Sequence, residues 1–156
     1  MPRTVLHNPN PELRIKSIEV SKERIGTPEM ALLIQELKET MAVENGIGIA
    51  APQIGVHDRV IIVEVNGVPT AYINPVIIEK SFRMIDSEEG CLSVPGTWGW
   101  VKRHRSVVVS ALNEQGETVT IKEQNLTSTV FQHEINHLDG ILFIDIAEEI
   151  TKAPRL

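Results

Sequence analysis

Gln132-His133-Glu134-Ile135-Asn136-His137 is the stretch from which the rest of the chain is read. It contains H-E-x-x-H. Residues four apart on a helix share a face, so two imidazoles there converge on one metal ion. Glu134 then lies beside the ion and is placed to move a proton. The flanking residues predict a helix from about Leu126 to Asp139, with Leu126, Val130, His133 and His137 on one face. Gly140 stands where helices commonly stop. The plain alternative is an exposed helix that carries two histidines by chance. The chain has only 5 His in 156 residues, which makes that coincidence rare.

Two histidines need a third ligand. The usual solutions place Glu or His further along a helix, and no His follows His137. Glu148 and Glu149 are candidates in what reads as a tail. Cys91, in Glu89-Gly90-Cys91-Leu92-Ser93, is the better one. A lone cysteine more often packs as a small hydrophobe. Here the preceding glycine and the polar neighbours favour a turn that could bring the thiolate to the histidines. Cys, His and His suit a tetrahedral ion with one position open to water. The set fits zinc by composition, and thiolate with imidazole also suits ferrous iron.

Outward from this helix the chain reads as one domain over residues 1–156, with no repeat and no linker. Thr27-Pro28-Glu29 looks like a helix start, with Thr27 as N-cap. Met30, Leu33, Ile34, Leu37 and Met41 follow at helical spacing, up to Asn45-Gly46. Val60–Val65 reads as a strand, and Asn66-Gly67 as a hairpin turn. Ala71–Ile73 and Val76–Ile78 flank Asn74-Pro75, which predicts an interrupted strand or an edge. Ser106–Leu112 and Thr118–Ile121 form a second hairpin, and Ile141–Ile144 reads as a last strand. Strands and helices are segregated, so the fold class is α+β.

Composition narrows the function. Apolar residues make up 42% and charged residues 23%, ordinary for a soluble protein. The net charge of −6 argues against nucleic-acid recognition. No apolar run reaches the ~18 residues of a membrane span. No signal peptide is visible, and one cysteine allows no internal disulfide. A cytoplasmic location is expected.

Gly46-Ile47-Gly48-Ile49-Ala50-Ala51 matches a relaxed dinucleotide fingerprint, but the required strand before it and helix after it are missing. Close backbone approach explains the glycines better. Gln53 follows, an amide able to donate to an oxyanion.

Read in order, Gly46–Gln53, Glu89–Ser93 and Gln132–His137 resemble peptide deformylase. Val5-Leu6-x-x-Pro9-Asn10-Pro11-x-Leu13-Arg14 is similar to that family's opening segment, and the resemblance runs from about residue 5 to 145. It implies antiparallel sheets packed around a central H-E-x-x-H helix. It implies one divalent metal held by Cys91, His133 and His137, with Fe2+ first and Zn2+ or Ni2+ as replacements. The implied reaction removes the N-formyl group from the initiator methionine of nascent polypeptides and releases formate. Glu134 moves the proton, while the Gln53 amide and the Leu92 backbone N–H stabilise the oxyanion. Ile47, Leu126 and Val130 are candidates for the methionine pocket, and Gly48 and Leu92 for walls that exclude larger acyl groups.

The chain departs from the family pattern in places. The family's H-E-x-D-H aspartate is Asn136 here, expected to face Arg103 and to brace the site less strongly. Trp98 and Trp100 read equally as a packed turn or strand start and as a wall of the substrate groove. The short C-terminus leaves out the family's long helix, and with it one route to docking on ribosome-associated nascent chains. The competing functions are a related amidase with another N-acyl substrate, a non-catalytic metal-binding protein and a zinc endopeptidase. A structural zinc site normally has four protein ligands, and Glu134 has no task in one.

Overall fold

The computed structural model describes residues 1–152. Among these, the strands are β1 (Gly48–Ala50), β2 (Val60–Val65), β3 (Val68–Lys80), β4 (Met84–Cys91), β5 (Val94–His104), β6 (Ser106–Leu112), β7 (Thr118–Gln124) and β8 (Glu149–Lys152). The helices are α1 (Pro28–Val43) and α2 (Asn125–Leu138). One sheet has five strands in the order β1-β2-β3-β6-β7, the other three in the order β4-β5-β8. All pairings within the sheets are antiparallel. The architecture is α+β, as the segregated pattern predicts.

The apolar run in β2 shows how the layers form. Val60, Ile61, Ile62 and Val63 are all fully buried. A strand covered on both faces has no polar side, so its sequence does not alternate. One face packs Val60 and Ile62 against the α1 stripe of Met30, Leu33, Ile34, Leu37 and Met41. The other packs Ile61 and Val63 into a cluster with Phe131, Ile135 and Leu138 of α2. Tyr72 meets Phe131 edge-on at 5.1 Å between ring centroids.

Local chemistry sets the ends of α1. The Thr27 hydroxyl accepts from the Met30 N–H at 3.3 Å, and Pro28 opens the helix. Asn45 leaves it at φ 56°. The Asn66-Gly67 turn joins β2 to β3 with both residues at positive φ.

Three expectations need correction. Asn74-Pro75 does not mark an edge: β3 lies at the centre of its sheet. The interruption is a register shift between Ile73 and Val76. Asn74, at φ 52°, turns its amide to Val20, accepting from its N–H at 2.8 Å and donating to its C=O at 2.9 Å. Ile141–Ile144 is not a strand, because a 3-10 turn occupies Phe143–Asp145. Leu142 and Phe143 are buried in succession, which an alternating strand does not allow against a single core. Asp145 accepts from the Leu142 N–H at 3.0 Å and is paired with Arg14, so the chain folds back. Glu149, taken as part of a tail, begins β8 and pairs with Trp100. The last four residues of the C-terminal stretch lie outside the described residues.

The Asn74 clasp yields a prediction. Asn74→Ala removes both bonds to Val20 and leaves a Cβ residue at positive φ. The expected loss is about 1–3 kcal/mol, read as a lower urea midpoint at unchanged slope.

Candidate active site

Helix α2 is buried on most of its circumference, and polar side chains hold it in place. Gln132 clamps the backbone of His104 at the end of β5, donating to its C=O at 2.8 Å and accepting from its N–H at 2.9 Å. The Ser128 hydroxyl donates to the same carbonyl at 3.0 Å. On the opposite side β1 approaches closely. A Cβ on Gly48 would lie 2.8 Å from Val130 Cγ1 and 3.0 Å from Glu134 Cγ. The glycine is required because the helix passes there, a close approach of the kind expected from the sequence.

The three expected ligands converge. One donor atom from each of Cys91, His133 and His137 lies within 4.8 Å of the others. His137 Nε2 is 3.2 Å from Cys91 Sγ. Cys91 ends β4, so its thiol meets the helix from the small sheet. The Ser93 N–H donates to its sulfur at 3.4 Å. Glu148 and Glu149 take no part in this group.

Electrostatics suit a cation. Burial pushes His137 well below its usual pKa, aided by nearby His133 and Arg103. It is therefore neutral, the form that ligates metal. Burial also opposes charge on His133, but contacts with Cys91 and Glu89 overcome it and push its pKa up to about 10. The surroundings of that imidazole favour positive charge. Burial pushes the Glu134 carboxyl up to about 7, with His133 opposing and Glu89 assisting. Its Oε2 is buried and, among the described residues, has no hydrogen-bond partner. The neutral His137 imidazole, the Cys91 sulfur and a His133 ring in surroundings that favour positive charge, beside an unpartnered Glu134 oxygen, are a donor set that fits a divalent cation.

Sequence reasoning gave no role to Glu89, which organises the site. Its carboxylate accepts from Arg103 Nε and Nη2, each at 2.8 Å. It also accepts from His133 Nδ1 at 2.8 Å, which leaves Nε2 to face the other donors. Burial works against this charge, but the bonds from Arg103 and His133 hold its pKa at about 2. No local pattern signals this role, because the register of β4 shifts between Glu89 and Cys91 and the partners of Glu89 lie far along the chain. Arg103 also donates to Asn136 Oδ1 at 2.6 Å, so the expected pair forms without a second negative charge.

A cavity of about 410 Å3 opens above this group. Its lining includes Gln53 and Leu92 and all four proposed pocket residues, Ile47, Gly48, Leu126 and Val130. Ile47 and Leu126 are exposed at the mouth. Gln53 is buried, with its Oε1 accepting from the Ala50 N–H at 2.9 Å and its Nε2 donating to Ser93 Oγ at 3.1 Å. Trp98 lies within β5, as a strand residue and not a turn, and lines the cavity; Trp100 does not.

The sequence profile of the polypeptide deformylase family matches residues 2–153. The chain belongs to the peptide deformylase family. It is 45% identical to the peptide deformylase of Desulfitobacterium hafniense over 90% of this chain and 91% of the relative. It is 44% identical to that of Desulforudis audaxviator over 95% of both chains. Among solved structures it resembles a class I type b peptide deformylase from Acinetobacter baumannii bound to Met-Ala-Ser. That likeness has a TM-score of 0.90 and 35% identity over 94% of this chain and 98% of the other. The peptide deformylase from Legionella pneumophila gives a TM-score of 0.89 at 34% identity, covering 95% of this chain and 87% of that one. Deformylases of this family are metal-dependent. No helix of the described residues is long and apolar enough to cross a membrane.

Two predictions follow from the packing of the site. Gly48→Ala forces β1 and α2 apart, and the expected cost is roughly 1–3 kcal/mol in chemical unfolding. Glu89→Gln leaves Arg103 buried without its carboxylate, at an expected cost of about 3 kcal/mol near neutral pH. Glu89 is held at about 2 in the fold against an ordinary 4.5, so its contribution is complete above the ordinary value and lost as pH falls toward 2. The stability gap between the parent and Glu89→Gln is therefore expected to close across that acid range, measured by urea unfolding at stepped pH.

Proposed function

We propose that this chain hydrolyses the N-formyl group from the initiator methionine of nascent polypeptides and releases formate. The observation that carries this reading is the convergence of Cys91, His133 and His137 beside the buried Glu134 at the floor of an open cavity. Cys91 and the two histidines would hold one divalent ion; the donor set by itself suits zinc and also ferrous iron, and the family resemblance puts ferrous iron first, with zinc or nickel as replacements. That ion supplies Lewis acidity, polarising oxygen atoms and acidifying water.

The chain's own groups do the rest. Glu134, with its pKa pushed to about 7, takes a proton from the attacking water and passes it to the leaving amine. The Gln53 amide, held by Ala50 and Ser93, offers its remaining N–H to the oxyanion together with the Leu92 backbone N–H. Ile47, Leu126 and Val130 receive the methionine side chain. Gly48 and Leu92 leave room for a formyl group and none for a larger acyl group. Glu89 fixes the His133 ring through Nδ1. The chain acts as one cytoplasmic domain on nascent chains, including those still at the ribosome. Family membership favours this activity over a related amidase, an endopeptidase or a non-catalytic metal protein.

The test is formate release from formyl-Met-Ala-Ser by protein prepared anaerobically and loaded separately with ferrous iron and with zinc. Release is expected with both and faster with iron. Glu134→Ala is expected to lower kcat by roughly 10²–10⁴-fold while metal content stays at one equivalent. Full metal loading without release would reject the reading.

A further inference from the structure

A second cavity, of about 390 Å3, takes no part in the chemistry above and shares no lining residue with the first. Arg103 links the two. Its Nε and Nη2 donate to Glu89, in the wall of the first cavity. Its Nη1 donates to Oδ1 of Asn136, in the wall of the second.

The wall of the second cavity divides by chemistry. One part is apolar: Ile78, Met84 and Ile146 line it and are exposed to solvent. The other part carries donors, from Lys80, Lys102 and Asn136. The Lys102 ammonium is paired with Asp86. The Lys80 side chain has no ion pair or hydrogen bond among the described residues. Asn136 gives its oxygen to Arg103, and its Nδ2 donates to nothing among the described residues. Glu79 is the one carboxylate among the lining residues.

This combination selects by charge and by shape. A carboxylate takes charge-assisted bonds from an ammonium and an amide N–H together. A cation meets Lys80 and Lys102 and is repelled. A neutral polar head leaves the Lys80 charge partly desolvated and unanswered. A dianion meets Glu79, so one negative charge suits the wall better than two. The exposed Ile78, Met84 and Ile146 gain from an alkyl chain laid over them.

We propose that this cavity binds a small aliphatic monocarboxylate. Its carboxylate sits on Lys80 Nζ and Asn136 Nδ2, and its alkyl chain lies against Ile78, Met84 and Ile146. The site stands whether or not the chain is a deformylase, since no residue of the metal-ligating group lines it.

The experiment titrates the zinc-loaded protein with hexanoate, hexanol, hexylamine and acetate. It follows the NMR signals of the Asn136 side-chain amide and the Met84 methyl group, which report this cavity and not the first. Hexanoate is expected to move both signals in one saturable transition. Its affinity is expected to exceed that of hexanol by about three- to tenfold, with hexylamine weaker than hexanol. Acetate, without the chain, is expected to bind about tenfold more weakly or worse. Asn136→Asp sets a negative charge against the ligand and is expected to weaken hexanoate by about tenfold. Lys80→Gln, an exposed substitution, is expected to weaken it by about threefold and to leave hexanol unchanged. The Lys80 variant alone decides the matter if Asn136→Asp does not fold. Equal affinity for hexanoate and hexanol would overturn the proposal. So would hexanoate affinity that Lys80→Gln leaves unchanged, or saturable shifts confined to Gln53, Leu92 and other residues of the first cavity.

Discussion

One carboxylate joins the small sheet to the central helix. Glu89 leaves β4, takes two bonds from Arg103 on β5 and one from His133 on α2. A buried negative charge is unfavourable by itself, and a buried guanidinium is no better. Together, with an imidazole sharing the carboxylate, each makes the other tolerable. The geometry of the group follows from this need. Arg103, which stands across the hairpin from Ile85, must reach along β4 to Glu89, the helix must present His133 at that height, and Cys91 then falls beside His137.

The five-stranded sheet meets the same helix by different means. There the contact is apolar, through Phe131, Ile135 and Leu138, and close, through Gly48. The helix thus has a greasy face toward one sheet and a polar, hydrogen-bonded face toward the other. Gln132 and Ser128 complete the second by engaging the backbone at His104 as a neighbouring strand would. The catalytic face lies between these two, looking into the cavity.

The parts that could be read from the sequence were those governed by local rules. The α1 cap, its apolar stripe, the Asn-Gly hairpin and the H-E-x-x-H spacing all express one segment's own chemistry. Cys91 was expected as third ligand from its setting and from family resemblance, and the structure brings its sulfur within 4.8 Å of a donor nitrogen of each histidine. The small sheet was hidden because its strands carry site chemistry in place of an alternating apolar pattern. β4 reads Met-Ile-Asp-Ser-Glu-Glu-Gly-Cys, an edge strand with one buried acid. β5 contains two glycines and a proline, which local rules assign to turns. The role of Glu89 was equally concealed, since its partners stand 14 and 44 residues away. The supposed strand at Ile141–Ile144 shows the converse, with apolar content that serves a fold-back clasped by Arg14, 131 residues distant.

Cys91 and His137 are separated by 46 residues, and the chain between them includes β5, β6 and β7. Bringing such distant points together costs loop-closure entropy that only the packed sheets recover. No fragment of this chain therefore holds the donor set in advance. The site has no existence apart from the tertiary structure, and its integrity serves as a gauge of folding. A destabilised chain loses the three donors as a unit, at the same transition in which the small sheet leaves the helix.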